Sequence, residues 1–259
     1  MTDFNRTHFE LVGEFHDTFG HPLRTENYTD CFTTEQNLVP FRISLMREEL
    51  DEFNDAYGKK DVIEMADALC DLAYVTYGAG HSLGINIDNV LQDLNVSLTP
   101  TPTQAETKTN TLGKLNATTN QWVNEYTDIV VQNEYEMLNR VLENFQSVAT
   151  KSQNFKKMGF WLGYIIKYVY GLGHVLGFNM DLIFREVHRS NMTKVCDNIE
   201  DANQSVKFYQ TDSRYSDPQI KTKGKYFVVF DAGTTKILKN HKWENPNIKQ
   251  FLNPCVSHS

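Results

Sequence analysis

The chain has 259 residues, 40% of them hydrophobic and 22% charged, with a formal net charge of −8. That length supports one large domain or two small ones with a real core, and the acidic balance excludes the broad basic surface of a nucleic-acid binder. Cys31, Cys70, Cys196 and Cys255 have no paired spacing, and no charged-then-apolar leader precedes the first helix at Phe4. The expectation is an intracellular, cytoplasmic protein with reduced thiols.

In chain order, the opening helix carries Glu14-Phe15-His16-x-x-Phe19-Gly20-His21-Pro22. Two acidic clusters follow, Glu48-Glu49-x-x-Glu52 and Glu64-x-x-Asp67-x-x-x-Asp71, each inside a stretch with helical apolar spacing at Leu50, Phe53, Ile63, Leu69 and Leu72. Residues three and four apart share a helical face. Between the clusters, Tyr57-Gly58-Lys59-Lys60-Asp61 reads as a glycine stop and an aspartate start, which makes the two helices antiparallel neighbours with facing acids. Acidic runs on helices are ordinarily solvated faces, and Asp61 with Glu64 is also a capping-box pattern. Carboxylates gathered from two helices would nevertheless raise one another's pKa unless a cation separates them, and an oxygen-seeking ion such as Mg²⁺ suits them. A di-iron site would use Glu-x-x-His pairs, and no histidine follows either cluster at that spacing.

Residues 97–120 are threonine-rich with Pro100 and Pro102 and read as a linker. The second half opens at Trp122 with Tyr126, Ile129, Val130, Met137, Val141, Phe145 and Val148 at helical spacing, which marks them as core. Met158 to Phe178 is long and apolar enough to raise a membrane span, but its glycines and the central Lys167 argue for a buried bundle helix. The segment is also a repeat: Tyr77-Gly-Ala-Gly-His-Ser-Leu-Gly-Ile-Asn-Ile-Asp88 recurs as Tyr170-Gly-Leu-Gly-His-Val-Leu-Gly-Phe-Asn-Met-Asp181, 93 residues on. In that register Lys157, Phe160 and Tyr164 stand opposite Glu64, Asp67 and Asp71. With one residue deleted, Arg140, Val141 and Asn144 stand opposite Glu48, Glu49 and Glu52. The second copy keeps apolar positions and loses the acids, and it alone continues into Arg189-Ser190-Asn191-Met192-Thr193-Lys194. Beyond it, Glu200 to Tyr209 reads as a short helix. Tyr226 to Phe230 and Lys236 to Lys239 read as a small hairpin turning at Gly233. The expected fold is an all-α, internally duplicated helical bundle with a small C-terminal β-hairpin, divided as 1–96, 97–120, 121–196 and 197–259.

Glu48-Glu49-x-x-Glu52 followed by Glu64-x-x-Asp67 resembles the E-E-x-x-E and E-x-x-D signature of the all-α nucleoside triphosphate pyrophosphohydrolases. That group includes MazG-like proteins, dimeric dUTPases and phosphoribosyl-ATP pyrophosphohydrolase. The Glu14 to Pro22 and Glu186 to Lys194 segments are similar to those of phage and viral MazG-like members. The resemblance implies hydrolysis of a nucleoside triphosphate to monophosphate and pyrophosphate, with dUTP or dCTP favoured by analogy and nucleotide-pool cleansing as the purpose. It implies Mg²⁺, with Mn²⁺ as the alternative ion, on Glu49, Glu52, Glu64 and Asp67, and Glu48 as general base. Arg189, Asn191 and Lys194, from beyond the second repeat, are expected to bind substrate in one composite site with Asp71, which either binds the sugar or orients a lysine. The partners expected are the nucleotide alone, with no nucleic acid or membrane, in a pseudo-dimeric monomer or a homodimer. A catalytically silent nucleotide-binding protein and a phosphoribosyl-ATP pyrophosphohydrolase-type activity are the alternatives.

Overall fold

The computed structural model describes residues 5–96, 127–234 and 236–252, so the linker expected at 97–120, Trp122, Tyr126 and Cys255 lie outside the described residues. The helices are α1 His8–Phe19, α2 Leu38–Lys59, α3 Val62–Leu83, α4 Ile87–Asp93, α5 Thr127–Ser147, α6 Phe155–Val175, α7 Met180–Met192 and α8 Ile199–Gln210. Two strands follow, β1 Pro218–Lys223 and β2 Tyr226–Asp231. The fold is therefore all-α with a small antiparallel hairpin near its C-terminus.

Local chemistry sets the ends that matter. Thr7 and Glu10 form a reciprocal capping box at the start of α1, and Gly20 closes the helix in the left-handed region at φ 68°. At the α2–α3 corner the glycine expected to stop α2, Gly58, lies inside the helix. Lys60 takes the left-handed conformation instead (φ 57°), with the Asp61 N–H reaching the Ala56 carbonyl at 2.9 Å. The Asp61 side chain then accepts from the Glu64 N–H and starts α3. Two residues of turn leave α2 and α3 antiparallel and in contact along their length.

The second half repeats this plan in register. Lys60 and Gln153 are both left-handed caps, Asp61 and Asn154 both N-cap the next helix, Gly84 and Gly177 both have positive φ, and Asn86 and Asn179 N-cap the helices after them. Each pair is 93 apart in the chain. Upstream, the buried residues Val39, Met46, Leu50 and Phe53 correspond instead to the buried Val131, Leu138, Leu142 and Phe145, one residue closer. The extra residue is absorbed where α5 widens into a π turn at Val148–Ser152. These repeated boundaries agree with an internal duplication.

One core runs through both halves, joining Leu50, Leu69, Tyr77, Phe145, Leu162 and Phe184 among others. Gly159 and Gly163 let α4 sit close on α6, since a Cβ at Gly163 would lie 2.8 Å from Val90. Ile63, Ile129 and Met137 share the apolar spacing but sit at its edges and are exposed. A separate small core of Cys196, Ala202, Tyr209, Val229 and Leu238 supports the C-terminal region. The hairpin there differs from the sequence reading: Tyr226–Asp231 pairs backwards with Pro218–Lys223 around Gly224, while Ile237 makes only an isolated bridge to Phe230. The polar strand Pro-Gln-Ile-Lys-Thr-Lys shows little alternation, and Gly224 supplies the positive φ its tight turn requires. Among the described residues no helix is long and apolar enough to cross a membrane. Cys31, Cys70 and Cys196 are free and buried.

His16 supplies a pH-dependent component of stability. It is 3% exposed, its Nδ1–H donates to the Pro22 carbonyl at 2.7 Å, and burial lowers its pKa to about 3. A histidine whose folded pKa is depressed costs stability as pH falls below its unfolded value near 6.5, because the unfolded chain takes the proton first. His16 should withdraw about 2 kcal/mol between pH 7 and pH 5. Urea titrations of parent and His16→Asn at both pH values should show a shallower decline in the variant; equal declines would mean that His16 is not buried neutral.

Candidate functional site

The α2–α3 pair positions six carboxylates. Met46, Leu50 and Phe53 on α2 and Met65, Leu69 and Leu72 on α3 are buried, so the remaining faces of the two helices are brought side by side. Glu48, Glu52 and Glu64 are exposed at the rim, and Glu49, Asp67 and Asp71 are half-buried beneath them. Burial first, then Asp71, Glu52, Glu48 and Asp67, raise the Glu49 pKa. Asp67 is raised by burial, then by Glu64 and Glu52, and Asp71 by burial, then by Asp67 and Glu52. All the acids singled out from the sequence therefore feel one another across the two helices. The six groups are all carboxylates, an oxygen donor set that suits a hard divalent cation. Among the described residues no three metal-ligating groups are already gathered as a cage.

The cations arrive from far along the chain. Lys194, just past α7, is half-buried and faces Asp71 and Asp67, and its Nζ donates to Asn191 Oδ1 at 2.6 Å. Asn191 also neighbours the Tyr74 side chain on α3. Asp71, Asn191 and Lys194 are thus brought together. Arg189 is not among them: its guanidinium donates to both Glu186 oxygens at 2.9 and 2.8 Å and to Glu244 at 2.5 Å. It braces α7 against the C-terminal tail.

Several residues of this region escaped the sequence reading. Lys236 faces Glu52, and Lys239 faces Asp67 and Asp71 while lying 3.4 Å over the Trp243 ring. Among the described residues Lys194, Lys236 and Lys239 form no ion pair with any carboxylate, so the basic groups face the acids across a gap. The tail is legible in the sequence as mildly basic, with Lys239 beside Trp243, but which acids Lys236 and Lys239 face is set by tertiary folding. A second omission is the brace behind Tyr74. Burial keeps His188 neutral, and Glu14 only accepts. His188 Nε2–H therefore donates to Glu14 at 3.3 Å, and its Nδ1 accepts from Tyr74 Oη–H at 3.0 Å. Arg6 completes the chain by donating to Glu14 at 2.6 Å. Glu14 and His188, both within motifs noted in the sequence, thus fix an aromatic ring one turn from Asp71.

Crowded acids predict an inverse link between stability and metal. A carboxylate whose folded pKa is raised destabilises the fold above its unfolded pKa, and the penalty vanishes as pH falls below it. At pH 8 without divalent ions, Glu49→Gln should stabilise the protein by on the order of 1 kcal/mol. Added Mg²⁺ should raise the melting temperature of the parent and leave the variant little changed. Parallel thermal melts check this, and a variant less stable than the parent in chelator would contradict it.

Comparison with known proteins fits this geometry. Residues 12–97 match the family model for phosphoribosyl-ATP pyrophosphohydrolase, a span that contains α2, α3 and every one of the six acids. An uncharacterized protein of Acanthamoeba polyphaga mimivirus is similar over nearly the whole chain: 28% identical over 262 aligned positions, covering 97% of this chain and 100% of that protein. No solved structure matches.

Proposed function

We propose a reaction on the premise that residues 12–97 belong to the MazG-like all-α nucleoside triphosphate pyrophosphohydrolase superfamily: (d)NTP plus water gives (d)NMP plus pyrophosphate. The observation that carries it is the meeting of six carboxylates on α2 and α3 with Lys194 from beyond α7. Glu49, Glu52, Glu64 and Asp67 would hold Mg²⁺, or Mn²⁺, which when bound supplies charge neutralisation on the phosphates and a more acidic water.

The chain's own residues do the rest. Glu48 is exposed at the rim beside Glu49 and Glu52, where its carboxylate can take the proton from water attacking the α-phosphorus. Bond breaking at that phosphorus releases pyrophosphate, whose charge Lys194, Lys236 and Lys239 stabilise. Asp71 faces Lys194, and Asn191 accepts a hydrogen bond from that lysine. The reading is of one composite site, with acids from the first half and phosphate-binding groups from beyond the second. Pool cleansing in the cytoplasm, on a pseudo-dimeric monomer, is the role that fits such chemistry. A phosphoribosyl-ATP pyrophosphohydrolase-type activity remains the second reading, favoured by the matched family model.

Incubation with triphosphates and Mg²⁺, following pyrophosphate separately from phosphate, tests the reaction. Glu49→Gln and Asp67→Asn should abolish turnover, and Glu48→Gln should bind nucleotide yet lose roughly 10²–10⁴-fold in rate. Full turnover in the first two variants would remove the acids from the reaction.

Lys194→Ala separates the composite site from one built by the first half alone. A charge-assisted contact to phosphate is worth about 1.5–3 kcal/mol, so its KM should rise roughly tenfold to a hundredfold. Lys239→Ala should move in the same direction and by less, because that lysine is exposed. Steady-state kinetics on both variants decide it: an unchanged KM for Lys194→Ala would leave the second half as scaffold.

A further inference from the structure

Two turns before Glu49 on the same helix lies Arg42, 7% exposed in the protein interior. Among the described residues no hydrogen bond or ion pair engages its guanidinium, and its Nε is buried without a partner. Burial, and then Arg24, lower its pKa only to about 10, so it is charged at neutral pH. Among the described residues no carboxylate pairs with it. Its neighbours are Arg24, the Phe41 ring 5.6 Å from the guanidinium carbon, His16, His21 and His81, all with pKa values lowered chiefly by burial and therefore neutral, and Gly78, where a Cβ would stand 3.4 Å from an Arg42 terminal nitrogen. A buried cation without a partner is costly. With its Nε buried unpartnered and no protein acceptor engaging it among the described residues, the guanidinium is open to acceptor atoms from outside.

Position along the helices says which acceptors. On α3, Asp67, Asp71, Tyr74 and Gly78 follow at spacings of three and four, so one face runs from the acids through an aromatic ring to the Arg42 guanidinium. Phe15 packs edge-on against Tyr74 at 5.4 Å, stacks on His21 at 5.6 Å, and has Lys194 Nζ 5.9 Å from its ring centre. Seven residues of α2 separate Glu49 from Arg42, about 10 Å of helix, the span of a nucleoside from its α-phosphorus to the far edge of its base. Metal-liking acids, then ring faces, then a donor fork match phosphate, base face and base edge in that order.

We propose that Arg42 reads the base edge and selects keto bases, guanine, thymine and uracil, over the amino bases adenine and cytosine. A guanidinium only donates. Guanine O6 and N7, or the O4 of thymine or uracil, present acceptors where adenine and cytosine present an amino group. The proposal rests on the pyrophosphohydrolase reading of the same cleft. It adds to that reading the class of base and the residue that chooses it.

The test uses the full chain and R42M. Thermal melts without nucleotide should place R42M at or above the parent, because an unpartnered charge has been replaced by an apolar side chain of similar length. With Mg²⁺, the parent should show kcat/KM roughly tenfold to a hundredfold higher for dGTP, dTTP and dUTP than for dATP and dCTP. R42M should lose that advantage, its kcat/KM for dGTP, dTTP and dUTP falling to the level of dATP and dCTP. Calorimetric binding of dGMP and dTMP against dAMP and dCMP repeats the comparison without turnover. A parent that hydrolyses none of the five, yet binds keto monophosphates through Arg42, would defeat the reaction and keep the base reader. A clearly lower melting temperature for R42M, a parent preferring amino bases in both assays, or an equal loss on all five nucleotides would overturn the proposal.

Discussion

Like-charge repulsion across the α2–α3 pair is the constraint on which the rest of the structure turns. Six carboxylates on facing helices oppose the packing of those helices, and the apolar faces beneath hold them together. Leu50, Phe53, Met65 and Leu69 are each 1% exposed or less, and burying a side chain of that size contributes about 1.5–3 kcal/mol. The short turn at Lys60 and Asp61 leaves the two helices little freedom to separate. Burial first, and that repulsion after it, raise the pKa values of Glu49, Asp67 and Asp71 while the pair stays packed.

The three lysines answer that charge without neutralising it. Close ion pairs between Lys194, Lys236 or Lys239 and the acids would relieve the repulsion, but they would fill the space that the proposed reaction gives to a metal and a polyphosphate. The protein instead ties Lys194 to Asn191, and sets Lys239 against Trp243. Stability is held below its attainable value at this spot, a familiar trade at sites built to receive charge.

What could be read from the residues divides along physical lines. Periodicity and capping are local, so the acidic helices, the Asp61 start, α8 and the 93-residue repeat were all legible. The acids were legible as a set because they fall on helical faces. The hairpin was misjudged because β1 is polar and its pairing with β2 is decided by a glycine turn, not by alternation. Gly58 was misread for a related reason: glycine is tolerated within a helix, and lysine took the left-handed cap. Arg189 looked like a phosphate ligand only while its partner Glu244, 55 residues on, was out of view. Lys194 was placed by its neighbours in the sequence, whereas Lys236 and Lys239 reach the site through tertiary folding alone. Arg42 sits one turn from Met46 in an apolar run and carries no local sign that its guanidinium points inward.

The packing of α3 against α6 within one polypeptide has a consequence for how such a site can be regulated and can diverge. Two separate subunits would meet only above a threshold concentration, whereas a tether keeps the halves at a high effective concentration at any dilution. Pairing of the two halves is then first-order in protein. In a symmetric pair, every substitution appears twice and must suit both sites. Here Asp67 and its counterpart Phe160, or Glu49 and Val141, are separate positions. One half is free to specialise in holding charge while the other becomes packing, a division of labour that no homodimer can encode.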